Sequence, residues 1–211
     1  MLARMAVSCL LLMLATAVSA QDKEKARAGF GDYAVTLTEV GALIAYKGEA
    51  ICIGSYLAVF NPGYKGTLVS SREGWKDGQV AVSADGRTVT LEAKLPKGRF
   101  TYSATVTNTG VRTTTRVFVA EGAEVGPVEC AAFQIPTSLV QGGSVEVVNA
   151  AGMPIDSQPI PAVGKRGPMA RHGEALTIKT PTRNIVIASL SPAALYPFDA
   201  RVDQYAKQQG I

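Results

Sequence analysis

The chain has 211 residues, a net charge of +4, and 47% hydrophobic against 18% charged residues. That balance excludes general disorder, and 21 Gly and 11 Pro with abundant Val and Thr favour β structure over a helical bundle. A single histidine, His172, and three cysteines argue against a multi-ligand zinc, haem or iron–sulfur site, so no metal or other cofactor is expected. The mild charge, with basic and acidic residues interleaved, gives no electrostatic footprint for nucleic acid.

Residues 1–20 have the three parts of a secretory signal. Arg4 supplies the positive start, Leu10-Leu11-Leu12-Met13-Leu14 is the densest apolar part, and Val18-Ser19-Ala20 places modest side chains at the cleavage positions. The alternative is a retained anchor helix, for which the apolar stretch is short. Cys9 follows Ala6-Val7-Ser8 as in a lipobox, but the apolar core lies after it rather than before it. The expectation is a secreted or periplasmic protein with no membrane span after cleavage, since no later apolar run nears 18 residues. Residues 21–32 are polar and charge-rich and read as a flexible arm.

From Tyr33 the pattern has period two, with Val35 and Leu37 on one side and Thr36 and Thr38 on the other. Lys47-Gly48-Glu49 joins two further strands, and Asn61-Pro62-Gly63 ends the apolar run 56–60. Cues are densest over 79–120. Asp85-Gly86, Pro96-Lys97-Gly98 and Asn108-Thr109-Gly110 are turns. Val89, Leu91, Ala93 and Leu95 share one face, as do Phe100, Tyr102, Ala104 and Val106. These features predict an antiparallel meander of at least four strands. Beyond residue 126 prolines crowd the chain, strands are expected near 145–148, 176–179 and 185–190, and 150–173 reads as a long loop. Phe198, Val202 and Tyr205 have helical spacing over two turns. The fold class is all-β, an antiparallel β-sandwich. It is either one enlarged sandwich over 33–211 or two sub-units, 33–126 and 127–211.

In an oxidising compartment Cys52 and Cys130 are most simply a disulfide, worth about 4–5 kcal/mol for so long a loop. Two separate buried thiols are the alternative.

No catalytic residue is assigned. A Ser-His-Asp triad would have to use His172, which sits in the proline-rich loop, and no Gly-x-Ser-x-Gly elbow occurs. Glu73 and Asp77 flank Trp75, and Glu121, Glu124 and Glu129 form a second acidic cluster, so a glycosidase-like carboxylate pair is one reading. No Asp-x-Asp-x-Asp calcium loop is present. Lys165, Arg166, Arg171 and His172 form a basic patch suited to an acidic polysaccharide or phosphate, or simply to solvent. Aromatic residues Tyr56, Phe60, Tyr64 and Trp75 cluster around a Gly/Ser/Lys-rich loop. Flat rings match the C–H face of a sugar, and charged neighbours match its hydroxyls. Tyr64, Arg72, Glu73, Trp75 and Asp77 are therefore the candidate ligand-binding residues. The competing reading has these rings filling the core.

Residues 79–93 (QVAVSADGRTVTLEA) and 133–147 (FQIPTSLVQGGSVEV) resemble the β-sandwich modules of secreted bacterial glycan-active proteins, including the galactose-mutarotase-like supersandwich. The resemblance implies a module that stands beside a catalytic domain and carries no chemistry itself. The mutarotases use a histidine pair and a glutamate; one histidine does not supply that set. The expected function is binding of a carbohydrate or another surface polymer. The alternatives are a structural or interaction domain with an envelope protein as partner, and a glycan-active enzyme using paired acids.

Overall fold

A computed structural model describes residues 23–190, 194–195 and 197–201. The signal segment and the residues after 201 lie outside that set, as do Val202 and Tyr205. The described chain is mostly β, in antiparallel sheets, and it divides into two compact units after Gln134.

In the first unit, β1 (Glu24–Phe30), β2 (Tyr33–Thr38), β3 (Ala42–Tyr46) and β4 (Glu49–Cys52) form a four-stranded meander. Next come β5 (Gly54–Phe60) and β6 (Thr67–Ser70), then helix α1 (Ser71–Asp77). A second meander follows: β7 (Gln79–Val82), β8 (Thr88–Leu95), β9 (Gly98–Val106) and β10 (Val111–Val119). Finally β11 (Val128–Gln134) returns to pair with β5, in a sheet ordered β11-β5-β6.

The second meander forms where period two and turn chemistry coincide. Gly86 takes a positive φ of 70°, and the inward residues of β8 and β9 are buried: Val89, Leu91 and Ala93 facing Ala104, Tyr102 and Phe100 in register. Val35, Leu37 and Ile44 of the first meander join them in one hydrophobic core. Gly29 N donates to Gly86 O at 3.0 Å, tying the two meanders together.

The described part of the polar segment before Tyr33, from residue 23, is not an arm. It forms β1, paired with β2 along its length, with Ala26 and Ala28 facing the core. Two alanines carry too little hydrophobic signal to offset the charges between them, so the alternation is easy to miss. Lys25 of the same strand donates from Nζ to the carbonyls of Trp75, Lys76 and Gly78, at 2.9, 3.0 and 2.8 Å. An ammonium group there satisfies the open carbonyls at the C-terminal end of α1.

Cys52 and Cys130 are not bridged; both are free thiols. Strand register explains this. Cys130 lies opposite Leu57, whereas Ile53, next to Cys52, donates its N–H to Gln134 O. Cys130 stands four positions before Gln134 on β11, about 13 Å of extended chain, and a disulfide needs its Cα atoms within about 7 Å. Burial pushes the Cys52 thiol above its usual pKa, and its Sγ donates to Gly54 O at 3.3 Å. Cys130 is exposed. Peptide mapping after alkylation of native protein should find Cys130 modified and Cys52 protected, with both modified after unfolding. A Cys52–Cys130 cross-linked peptide would contradict this.

The second unit contains a short helical turn, α2 (Thr137–Val140), and a sheet ordered β13-β12-β15-β16. Its strands are β12 (Ser144–Val148), β13 (Pro154–Pro159), β15 (Ala175–Lys179) and β16 (Asn184–Ala188). The two-residue strands β14 (Gly167–Pro168) and β17 (Phe198–Asp199) pair with each other. The stretch 150–173 is thus not one long loop, since it holds β13 and β14. The Asn149 side chain accepts from Ala151 N and Met153 N at 3.0 and 2.9 Å, turning the chain so that Pro154 can open an edge strand. Phe198 lies in a strand rather than a helix. Val145, Ile160 and Ile178 form the core of this unit.

Asp199 is buried and holds the end of the unit. It accepts from Lys165 N, Arg201 N and the Arg201 guanidinium, at 2.9–3.0 Å. The hydrogen bond from Arg201 is the main cause that holds its carboxyl down at about 2, against an ordinary 3.8. A folded pKa below the unfolded one gives stability that is present above pH 4 and lost as pH falls towards 2. Acid denaturation should therefore remove about 2 kcal/mol over that window. Asp199→Asn should flatten the profile there, and an unchanged slope would contradict the assignment.

Candidate functional site

Segment 70–78 is a capped helix, not a loop. The Ser70 hydroxyl accepts from Arg72 N at 3.2 Å, Glu73 lies in the first turn and Lys76 in the last. Gly78 N returns to Gly74 O at 2.9 Å. This geometry separates the candidate ligand residues. Arg72, Glu73 and Asp77 are on the exposed side. Trp75 is 0% exposed, with its ring centroid 5.2 Å from Phe100 and 4.8 Å from Tyr102 in edge-on contacts. It fills the core and lines no open groove. Tyr64 lies on the exposed 3-10 turn Pro62–Tyr64, 57% exposed and 5.0 Å from the Phe60 ring. The Arg72 guanidinium lies 5.0 Å from the Tyr56 ring. Without Trp75 the set has no shared aromatic floor for a sugar.

The other clusters are surface features. Glu121, Glu124 and Glu129 are exposed, as are Lys165, Arg166, Arg171 and His172. The basic loop is pinned by its backbone, with Lys165 N donating to Asp199 and Arg171 N to Asp156, both at 2.9 Å.

A different concavity lies on the outer face of sheet β1–β4. Gly29, Ala34, Ala45 and Ala50 are successive register partners across the four strands. Their neighbours Ala28, Val35 and Ile44 point into the core, so this small row points outward. Three of the row, Gly29, Ala34 and Ala45, line the concavity, a floor about 10 Å across at a strand spacing of about 4.8 Å. One wall is Arg27. The other is built from two hairpin turns, Gly31-Asp32 and Lys47-Gly48, where Gly31, Lys47 and Gly48 take φ of 60°, 50° and 81°. Lys47 N donates to Asp32 O at 2.7 Å, and its ammonium lies 3.7 Å from the Asp32 carboxylate. Tyr46, and after it Asp32, hold the Lys47 pKa above its usual value. The open cleft so formed has a volume of about 440 Å³, and Phe30 and Tyr33 complete its lining.

Chemically the cleft offers a flat floor without side-chain bulk, two cationic donors and one carboxylate acceptor at its rims. Nothing in the sequence marked it, because the floor exists only once two separate turns have set the register of three strands. No family model, curated protein or solved structure matches the chain.

Proposed function

We propose that the chain is an exported, non-catalytic protein whose first unit is a β-sandwich that binds a carbohydrate or another surface polymer in the cleft of sheet β1–β4. Support for the sandwich comes from the shared core of the two meanders. The cleft itself carries the binding reading. Its volume of about 440 Å³ is in the range of small-ligand sites. The floor of Gly29, Ala34 and Ala45 leaves room for a flat ring to lie against the sheet, and Arg27, Asp32 and Lys47 can meet its hydroxyls. A groove running across the strands and open to solvent suits one stretch of a longer chain. Export is supported by the residue pattern of 1–20.

Calorimetric titration with a panel of oligosaccharides tests the reading. Ala45→Leu adds bulk to the floor from the solvent side and leaves the core untouched. It should weaken binding at least about tenfold, the equivalent of roughly 1.4 kcal/mol. A wild-type protein that gives no heat with any member of a panel of neutral oligosaccharides would overturn the proposal.

A further inference from the structure

The outer face of the second meander has a different chemistry from the cleft. The residues between the buried positions of β7–β10 form rows in register. Thr88, Thr105 and Arg112 make one row, and Thr90, Ser103 and Thr114 the next. Glu92, Thr101 and Arg116 make a third, and Lys94, Arg99 and Phe118 a fourth. Rows repeat about every 6.6 Å along the strands and about every 4.8 Å across them. The result is a grid of hydroxyl groups, with Thr88 and Thr105 already in hydrogen-bond contact at 3.1 Å.

Charge on this face is one-sided. Four cations, Lys94, Arg99, Arg112 and Arg116, stand against the single acid Glu92, which pairs with Arg99 at 3.4 Å. Arg112, Arg116 and Lys94 make no ion pair among the described residues. Arg112 and Arg116 are exposed on the free edge of the sheet, about 13 Å apart along β10 with Thr114 between them. Phe118 is the one aromatic ring in these rows, and one face of it already carries the Arg99 guanidinium at 4.2 Å, which leaves no series of rings on which successive bases would stack.

We infer that this face binds an acidic polysaccharide, lying along the β10 edge with its carboxylates or sulfates on Arg112 and Arg116 and its hydroxyls on the Ser/Thr rows. Positive charge supplies the attraction, which falls with salt. The hydroxyls, each both donor and acceptor, supply the match to a sugar rather than to a bare polyanion. The inference does not depend on the cleft, which lies on the other meander.

Retention on immobilised polyuronate at low salt tests it, with polyacrylate, single-stranded DNA and dextran as parallel matrices and Ala45→Leu as an additional variant. Wild-type protein should bind polyuronate most strongly, and Ala45→Leu should bind it equally well. Arg112→Ser/Arg116→Ser should weaken binding about tenfold, in line with two exposed charge contacts. Thr90→Val/Thr114→Val keeps shape and strand propensity and should weaken binding to polyuronate but not to polyacrylate. Equal retention on polyacrylate or DNA, or polyuronate binding unchanged by both double variants, would overturn the inference. Loss of binding in Ala45→Leu alone would move the polymer to the cleft and also overturn it.

Discussion

Trp75→Ala should destabilise the protein by about 3–5 kcal/mol, the usual loss for emptying a large aromatic site in a core. Set against a typical total of about 5–15 kcal/mol, that leaves the first unit marginal. Trp75 is the largest fully buried side chain, and it sits where α1 meets both meanders, in contact with Phe100 and Tyr102 of β9. Its removal leaves a cavity lined from several directions, and such a site collapses poorly. Trp75→Phe should cost much less, because it keeps a ring and removes an indole N–H that has no hydrogen-bond partner. Denaturant melts followed by circular dichroism distinguish the two. An alanine variant within 1 kcal/mol of wild type would mean the indole is not in the core.

Gly74→Ala should also destabilise, against the ordinary rule. Alanine in place of glycine inside a helix gains about 1 kcal/mol. Here a Cβ at position 74 would fall on the Phe100 ring, 2.7 Å from its Cγ. Phe100 is fully buried and flanked by Trp75, so it cannot swing aside cheaply. Overpacking of this kind costs about 1–3 kcal/mol and should outweigh the helix gain. Gly74→Ala/Phe100→Leu should recover part of the loss, as residues in contact are not additive. A single variant more stable than wild type would show that α1 stands further from β9 than the structure places it.

These two neighbours also show why part of the molecule was legible in sequence and part was not. Strands β8 and β9 announce themselves because alternation and turn residues agree over the same stretch. Helix α1 does not. Its inward positions, Ser71, Gly74, Trp75 and Gly78, have helical spacing, but only one of them is hydrophobic. The signal that would have found it is the capping pattern Ser70-x-x-Glu73. Once the helix is recognised, Arg72, Glu73 and Asp77 fall on one side and Trp75 on the other, and the aromatic groove dissolves. The cysteines failed for another reason: counting thiols says nothing about where strands place them, and β11 pairs with β5 in a register that holds Cys130 near Leu57. The cleft depends on register too. Its floor residues Gly29, Ala34 and Ala45 lie in three strands, and a shift of one residue in either pairing would turn part of the floor inward.

Backbone amide NMR during titration with an oligosaccharide that binds is the most direct measurement of the proposed function. Shifts concentrated at residues 27–34 and 45–48, with the amides around Tyr64 and Arg72 unmoved, are the predicted result. Shifts confined to 56–78 with a silent cleft would contradict it.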